Sequence, residues 1–472
     1  MPPSATAARG AGHPAAPLAA AAAVAAFVAL LFGRVPLSFD TYFALVYGRD
    51  LAHLRAPDLE LGVASTPHPL FDVVAALLTP LGEGAEVALW LIVLLSFGAA
   101  CVAAYRIAAT LAGPLAGAIA AGLLLTRPTM LEVTARASVD IPALALVLWA
   151  IALELRRPRR GAAVLGLLAL AGLLRPEAWL LAGAYWLWIA RGSTTPARIR
   201  LGALAAAGPL LWMLHDLVLT GDPLWSRNHT ADTVASSYKT GLDGLAEVPR
   251  HVGSILGVSG CVAAVAGLGF AVLVLRRRTA GEEEARRVWV LLAVLALSGA
   301  AAIALAVGGQ PILQRFFLVP AAGLLVLGAA VTAELASRAA RPGAFALIAV
   351  LVALLPFEAV RIADTRSELR ADQRLQSELR DLVDDGPARA AIDDCRPAHL
   401  TAGGMLPTLA FALDVPAVDL AAPAPGRTSI STLPAAADDD DLPYPLAPPA
   451  PPPPGQVEVE RSRALVAYRG CP

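Results

Sequence analysis

Long apolar runs separated by short, arginine-bearing loops dominate the chain, and their lengths set the first expectation. A hydrocarbon layer about 30 Å thick needs roughly 20 apolar residues in a helix. Eleven runs meet or approach that measure, near 17–35, 85–106, 112–126, 138–155, 161–174, 177–190, 200–219, 253–275, 288–307, 311–333 and 343–361. Those near 112, 161 and 177 are short, and Arg175-Pro176-Glu177 reads either as a tight turn between two spans or as a break in one long helix. The segment 68–81 is shorter still and predicts a helix lying in the interface. The first run follows Arg9 as a signal peptide would, yet no small-residue cleavage site follows it, so it is expected to stay as an anchor.

Beyond residue 361 the pattern changes. Ile362, Leu369, Leu375, Leu379 and Leu382, spaced among charges, predict an amphipathic helix leaving the membrane. Short apolar pieces follow at Ala390–Ile392, Leu406–Leu413 and Val415–Leu420, with a strand-like run at Arg463–Tyr468. The acidic run Asp438 to Asp441 and the proline run Pro451 to Pro454 cannot bury enough apolar surface to fold. The expected organisation is a cytoplasmic tail over residues 1–16 and a transmembrane domain over 17–361 whose large first outer loop is 36–84. An extracytoplasmic domain over 362–472 follows, with a disordered insert at about 423–456. The fold class is an all-α polytopic membrane bundle of about 11 transmembrane helices carrying a small α/β or α+β domain.

Composition agrees with the membrane setting, since 57% of residues are hydrophobic, 16% are charged and the mean hydropathy is +0.63. Soluble domains run at roughly a quarter charged. The net charge of -1 hides a segregation of arginines into alternate loops and of acids into the last quarter, so it gives no argument for nucleic acid. Abundant alanine and arginine suggest a GC-rich bacterial genome and hence a plasma (inner) membrane. Arg156, Arg157, Arg159 and Arg160, then Arg191, Arg198 and Arg200, then Arg276, Arg277, Arg278, Arg286 and Arg287, then Arg338 and Arg341 all fall on one side. The positive-inside rule makes that side cytoplasmic, together with the N-terminus. An odd span count then puts the C-terminal domain outside. Of four cysteines, Cys101 and Cys261 sit in apolar runs, while Cys395 and Cys471 fall in the outer domain, where a disulfide would tie the C-terminus across the insert if the compartment is oxidising.

The outward loops hold the candidate chemistry. Asp40 opens the first loop, with Tyr42 two residues on, and His68 stands between two prolines in Thr66-Pro67-His68-Pro69-Leu70. Arg136 and Asp140 lie four apart at the head of the fourth span and on a helix would share a face and pair. Arg175 and Glu177 occupy the next outer turn, and Arg315 lies in Gln314-Arg315-Phe316-Phe317. Each also has a plain structural reading: snorkelling arginines, a helix-stabilising ion pair, a polar loop histidine, and Asp40 as N-cap of a helix from Thr41 to Leu54. Taken together on one side of a bundle, they supply an acid to accept a proton and cations to hold a phosphate.

At these residues the chain resembles a known group. Phe39-Asp40-Thr41-Tyr42, Gly48-Arg49-Asp50-Leu51 and Thr66-Pro67-His68-Pro69-Leu70 look like the first outer loop of the GT-C membrane glycosyltransferases that use polyprenyl-phosphate sugars. That group contains the protein mannosyltransferases and the aminoarabinose transferase. Ala135-Arg136-Ala137-Ser138-Val139-Asp140-Ile141-Pro142 resembles their second outer loop, and Leu174-Arg175-Pro176-Glu177 and Gln314-Arg315-Phe316-Phe317-Leu318-Val319-Pro320 are similar to further arginine positions there. Threonine at position 41, where a second acid is common, weighs against a two-carboxylate metal site and leaves a role for a divalent metal open. His68 stands where lysine is frequent, so a phosphate contact there would weaken above about pH 6.5.

The resemblance implies a polyprenyl-phosphate sugar donor held among membrane lipid, and a glycan, lipid or protein acceptor. It further implies Asp40 as general base of an inverting hexosyl- or pentosyltransferase. Arg315, with His68 and Arg136, would bind the donor phosphate; Tyr42, Asp140, Arg175 and Glu177 would support them. Two readings from other classes stand beside it: a transporter or flippase of a lipid-linked intermediate without bond chemistry, and a non-catalytic membrane scaffold. Transporters place broken or charged helices near the midplane, whereas the charges here cluster at span ends.

Overall fold

The computed structural model describes residues 15–59, 61, 64–234, 239–276, 281–337, 341–395, 399–400, 403–421, 428–433 and 455–471. Residues 1–14 of the expected N-terminal tail and most of the expected insert at 423–456 lie outside the described residues. The chain enters through α1 (Ala16–Phe32) and then lays down two short helices, α2 (Phe39–Ala52) and α3 (Pro69–Leu78), at one end of the bundle. α4 (Gly84–Ala112) is followed by the bent pair α5 (Pro114–Leu125) and α6 (Pro128–Ala135), then α7 (Asp140–Arg156), α8 (Ala162–Gly172), α9 (Glu177–Ala190) and α10 (Thr195–Thr220). Two short helices, α11 (Trp225–Val234) and α12 (Gly241–Ala246), lead into α13 (Val248–Arg276), α14 (Glu282–Val307), α15 (Leu318–Ser337) and α16 (Arg341–Ala353).

A helix stands at each of the eleven expected runs, but the expected count of about 11 spans is not met on length and composition. Among the described residues six helical stretches are long and apolar enough to cross a membrane, or seven if the α5–α6 pair, bent by 65°, is one span. The 161–190 stretch divides into α8 and α9 with a turn between them. Outward-facing Leu30, Leu91, Val265, Ile303 and Val307 give the bundle an apolar surface, as lipid requires of spanning helices. Glycines set its closest approaches: Gly267 of α13 faces Gly328 of α15, and Gly98 of α4 faces Ala21 of α1. Small residues let backbones touch where no water drives helices together.

α17 (Leu355–Asp384) starts at the bundle and runs out of it as one continuous helix. It carries a small unit built from α18 (Pro387–Asp394), β1 (His399–Leu400), α19 (Leu406–Ala412), α20 (Val418–Ala421), β2 (Ser429–Thr432), β3 (Val457–Arg461) and β4 (Leu465–Arg469). The sheet runs in the order β1-β2-β4-β3, with β1 parallel to β2 and the other two pairings antiparallel. Ile430, Leu465 and Ala467 turn inward with Leu375, Leu379 and Leu409 to form its core. Cys395 and Cys471 are joined by a disulfide, their Cα atoms 5.5 Å apart, whereas Cys101 and Cys261 are free.

The unit sits on the end of the bundle that carries α2, and α2 is shared. Tyr42, Ala44 and Leu45 pack into the bundle core, while Phe43, Val46 and Tyr47 pack into the core of the unit.

Candidate active site

The first loop is pinned before it presents anything. Ser38 caps α2, its Oγ accepting from Thr41 N at 3.3 Å, so the N-cap role considered for Asp40 belongs to Ser38. Thr41 Oγ1 donates to Ala137 O at 2.9 Å and Ser38 N to Arg136 O at 2.7 Å, which fastens the start of α2 to the α6–α7 turn. At the loop's other end, Leu70 N donates to Leu173 O at 3.3 Å, bringing His68 to the α8–α9 turn that carries Arg175. Asp40, in the first turn of α2, thereby faces Arg315, which the turn Gln314–Phe317 delivers at the head of α15.

Asp40 Oδ2 accepts from Arg315 Nη1 at 2.5 Å and its Oδ1 from Ser65 Oγ at 2.7 Å. Burial alone would raise this carboxyl, but the Arg315 guanidinium, with His68 and the Ser65 hydroxyl, overrides it and holds the pKa at about 2. Its side chain is 15% exposed and that of Arg315 is 36% exposed, so the pair stands at the surface of the site and its partners can be exchanged. Arg175 Nε lies 3.1 Å from Asp140 Oδ1 and 3.7 Å from Glu177 Oε2, and its guanidinium stacks on Phe316 at 4.8 Å from the ring centroid. Arg175 Nη2 is buried and has no hydrogen-bond partner among the described residues. A buried donor left over in this way is costly unless something occupies it.

Three sequence expectations change here. The Arg136–Asp140 pair does not form: α6 ends at Ala135 and Asp140 starts a new helix, so the two never share a helical face. Asp140 goes to Arg175, and Arg136 Nη1 pairs with Asp372 Oδ2 of α17 at 2.6 Å, outside the cleft. Tyr42 points away from Asp40, because residues two apart on a helix face opposite sides. Its hydroxyl donates to Glu86 Oε1 at 3.0 Å and accepts from Arg380 Nη2 at 2.7 Å. His68 is no cation. Burial and the neighbouring Arg175 charge lower its pKa to about 4, and its buried Nδ1 has no hydrogen-bond partner among the described residues. Ser65, Glu86 and Asp372 escaped the sequence reading, and Phe316 entered it only as part of a motif, since only distant pairings give them a role.

Asp140, Arg175, Glu177, Arg315 and Phe316 line a cleft. Next to it an apolar groove runs between α7, α8, α9 and α14, with Val147 and Leu181 lining both. Ile151, Leu168, Trp188 and Val294 form its walls, and Glu154, bonded by Tyr185 Oη at 2.7 Å, closes its far end. Asp140 and Glu154 bracket about 21 Å of α7 at ~1.5 Å per residue. The arrangement therefore suits an amphipathic anion: guanidinium donors at one end, a long dry slot behind. Among the described residues no group of three or more His, Cys, Asp or Glu side chains is arranged to hold a metal ion.

No family model matches the sequence, and no curated protein matches it. Among solved structures, the crystal structure of ArnT from Cupriavidus metallidurans bound to undecaprenyl phosphate aligns with a TM-score of 0.58 and 15% identity, over 97% of this chain and 98% of that one. The apo-state crystal structure of ArnT from the same organism aligns at a TM-score of 0.37 and 15% identity over 95% of this chain and 97% of that one, too low a score to bear on the fold. The first alignment runs over nearly the whole of both chains, and what it establishes is architecture: this chain has the fold of ArnT.

Proposed function

We propose that this protein is a membrane glycosyltransferase that moves a sugar from a polyprenyl-phosphate donor to an acceptor hydroxyl at the face of the membrane away from the cytoplasm. The observation that carries the reading is the position of Arg315, which holds Asp40 and at the same time lines the cleft that adjoins an apolar groove. ArnT, whose fold this is, was crystallised with a lipid of this class, undecaprenyl phosphate.

In this reading the isoprenoid tail lies along α7, α9 and α14, and the phosphate meets Arg175 Nη2 and Arg315. Arg175 keeps Asp140 and Glu177, which orient it; Arg315 exchanges Asp40 for phosphate. Losing its strongest cation makes the Asp40 carboxylate a better proton acceptor, so donor binding prepares the base. The acceptor oxygen then attacks the anomeric carbon from the side opposite the phosphate, and its proton passes to Asp40. The bond from that carbon to the phosphate oxygen breaks with both electrons on oxygen, and Arg315 and Arg175 stabilise the growing charge. Neutral His68, buried beside Arg175 and Asp40, serves as a hydrogen-bonding group rather than as a charge. A transporter reading is less well supported, because a charged head crossing the groove would meet almost nothing polar between its two ends.

The test is transfer from a radiolabelled polyprenyl-phosphate sugar by purified protein in nanodiscs. Asp40→Asn is expected to lose about 10²–10⁴-fold in turnover while still binding donor. Arg175→Ala and Arg315→Ala are expected to raise the donor KM, and Arg136→Ala to leave it unchanged. Turnover by Asp40→Asn within a few-fold of wild type would remove the base assignment.

A further inference from the structure

The helix that carries Asp40 is gripped at its other end by the C-terminal unit. Arg49, 7% exposed near the end of α2, donates from Nη2 to Val415 O at 2.7 Å and from Nη1 to Ala410 O at 3.4 Å, and pairs with Asp414 Oδ1 at 2.8 Å. Those acceptors belong to the terminus of α19. Asp414 takes a left-handed φ of 54°, Val415 N returns to Ala410 O at 3.1 Å and Asp414 N to Phe411 O at 3.3 Å. This is a Schellman ending, and the Arg49 fork covers carbonyls that such an ending leaves at the negative end of the helix dipole.

Two further arginine pairs join bundle and unit beside it. Arg136 of the α6–α7 turn meets Asp372 of α17, and Arg380 of α17 meets Glu86 of α4 at 2.8 Å. The α6–α7 turn also holds Ser38 and Thr41, the residues that fasten the start of α2. Asp40 and Arg49 lie about 13.5 Å apart along α2 and, nine residues apart at about 100° each, on opposite faces. Asp40 meets Arg315 at one end of α2 and Arg49 meets α19 at the other, so a shift at α19 moves the carboxylate with the helix.

We infer that Arg49 is a positioning residue for sugar transfer: through it, the C-terminal unit sets where Asp40 stands against Arg315. The inference rests on Asp40 acting as the base. It gives the C-terminal unit a task in the reaction without a ligand of its own.

Full-length protein in nanodiscs tests this with two readouts, transfer kinetics from a polyprenyl-phosphate sugar and hydrogen exchange of residues 39–52. Arg49→Met is expected to lower kcat about 10–100-fold, as displacements near 1 Å do, with donor KM within about twofold of wild type. Exchange across the first turn of α2 rises with it. Arg49→Lys keeps the charge at the carbonyls and is expected to recover part of kcat. Asp414→Gly is expected to stay within about twofold of wild type, because its carboxylate is 82% exposed and such pairs contribute little, while glycine accepts the left-handed turn. Arg461→Ala, in an exposed pair on β3, serves as the control that changes neither readout. Wild-type kcat and unchanged exchange in Arg49→Met overturn the inference, as does a loss of activity that only tracks the folded fraction. If Asp40→Asn is inactive and Arg49→Met is normal, the grip fails alone. If Asp40→Asn is active, the base assignment fails, and exchange still reports whether the unit holds α2.

Discussion

Asp40 and His68 sit within the same electrostatic neighbourhood and both have lowered pKa values, for different reasons. Arg315 holds Asp40 at about 2, which favours its charge; burial and Arg175 hold His68 at about 4, which disfavours its charge. The sign for stability follows for His68. Between about pH 6.5 and 4 the unfolded chain takes up a proton that the folded chain refuses, so unfolding becomes easier as pH falls through that window. The full difference is on the order of 3 kcal/mol, from about 1.4 kcal/mol per unit. Thermal midpoints of wild type and His68→Gln across this range provide the check: the variant is expected to show the shallower pH slope, and equal slopes would mean His68 is solvated. At this scale the sequence exposed ionisable residues at span ends, because an apolar chain makes Asp40, Arg175 and Arg315 conspicuous. It did not expose their partners. Nothing local in the chain says that Arg136 meets Asp372, 236 positions away, rather than Asp140.

The elements show the same division between local and distant causes. α13 breaks its helical path at Gly257, which takes φ 63° and would place any Cβ against the Glu358 carboxylate of α17. Glu358 is itself held there by Arg127 at 3.2 Å and Ser259 Oγ at 3.1 Å, so it has little room to yield. Gly257→Ala is therefore expected to destabilise the protein by about 2–4 kcal/mol through backbone strain and a displaced buried charge. Unfolding in detergent measures it, and a loss below about 0.5 kcal/mol would show that the kink relaxes. Apolar length located every long helix, and the amphipathic spacing from Ile362 to Leu382 located α17. The strand-like run at 463–468 became β4, but β1 and β2 span only two and four residues. Segments that short carry no alternation to read, and their pairing is decided by the sheet. The limit of apolar length as a guide is the span count itself, since α1, α7, α8 and α9 are helical yet fall short of an 18-residue spanning stretch.

Across the whole molecule, the C-terminal unit is small and depends on a covalent closure. The Cys395–Cys471 bond joins the end of α18 to the residues after β4 across a separation of 76 residues. In the chain-entropy account a loop of that length stabilises by on the order of 4 kcal/mol. Reduction, or Cys395→Ser with Cys471→Ser, is expected to lower the unit's thermal midpoint while the bundle keeps its own, read by exchange of β2 and β4 against α4 and α15. Equal protection in both forms would show that the sheet holds without the bond. The sharing of α2 between two cores bears on how the protein is made. Asp40 leaves the ribosome early, whereas α19 and Cys471 follow only after the helices of the bundle. A growing chain can thus have its apolar helices in place while the second core that α2 enters is still unbuilt.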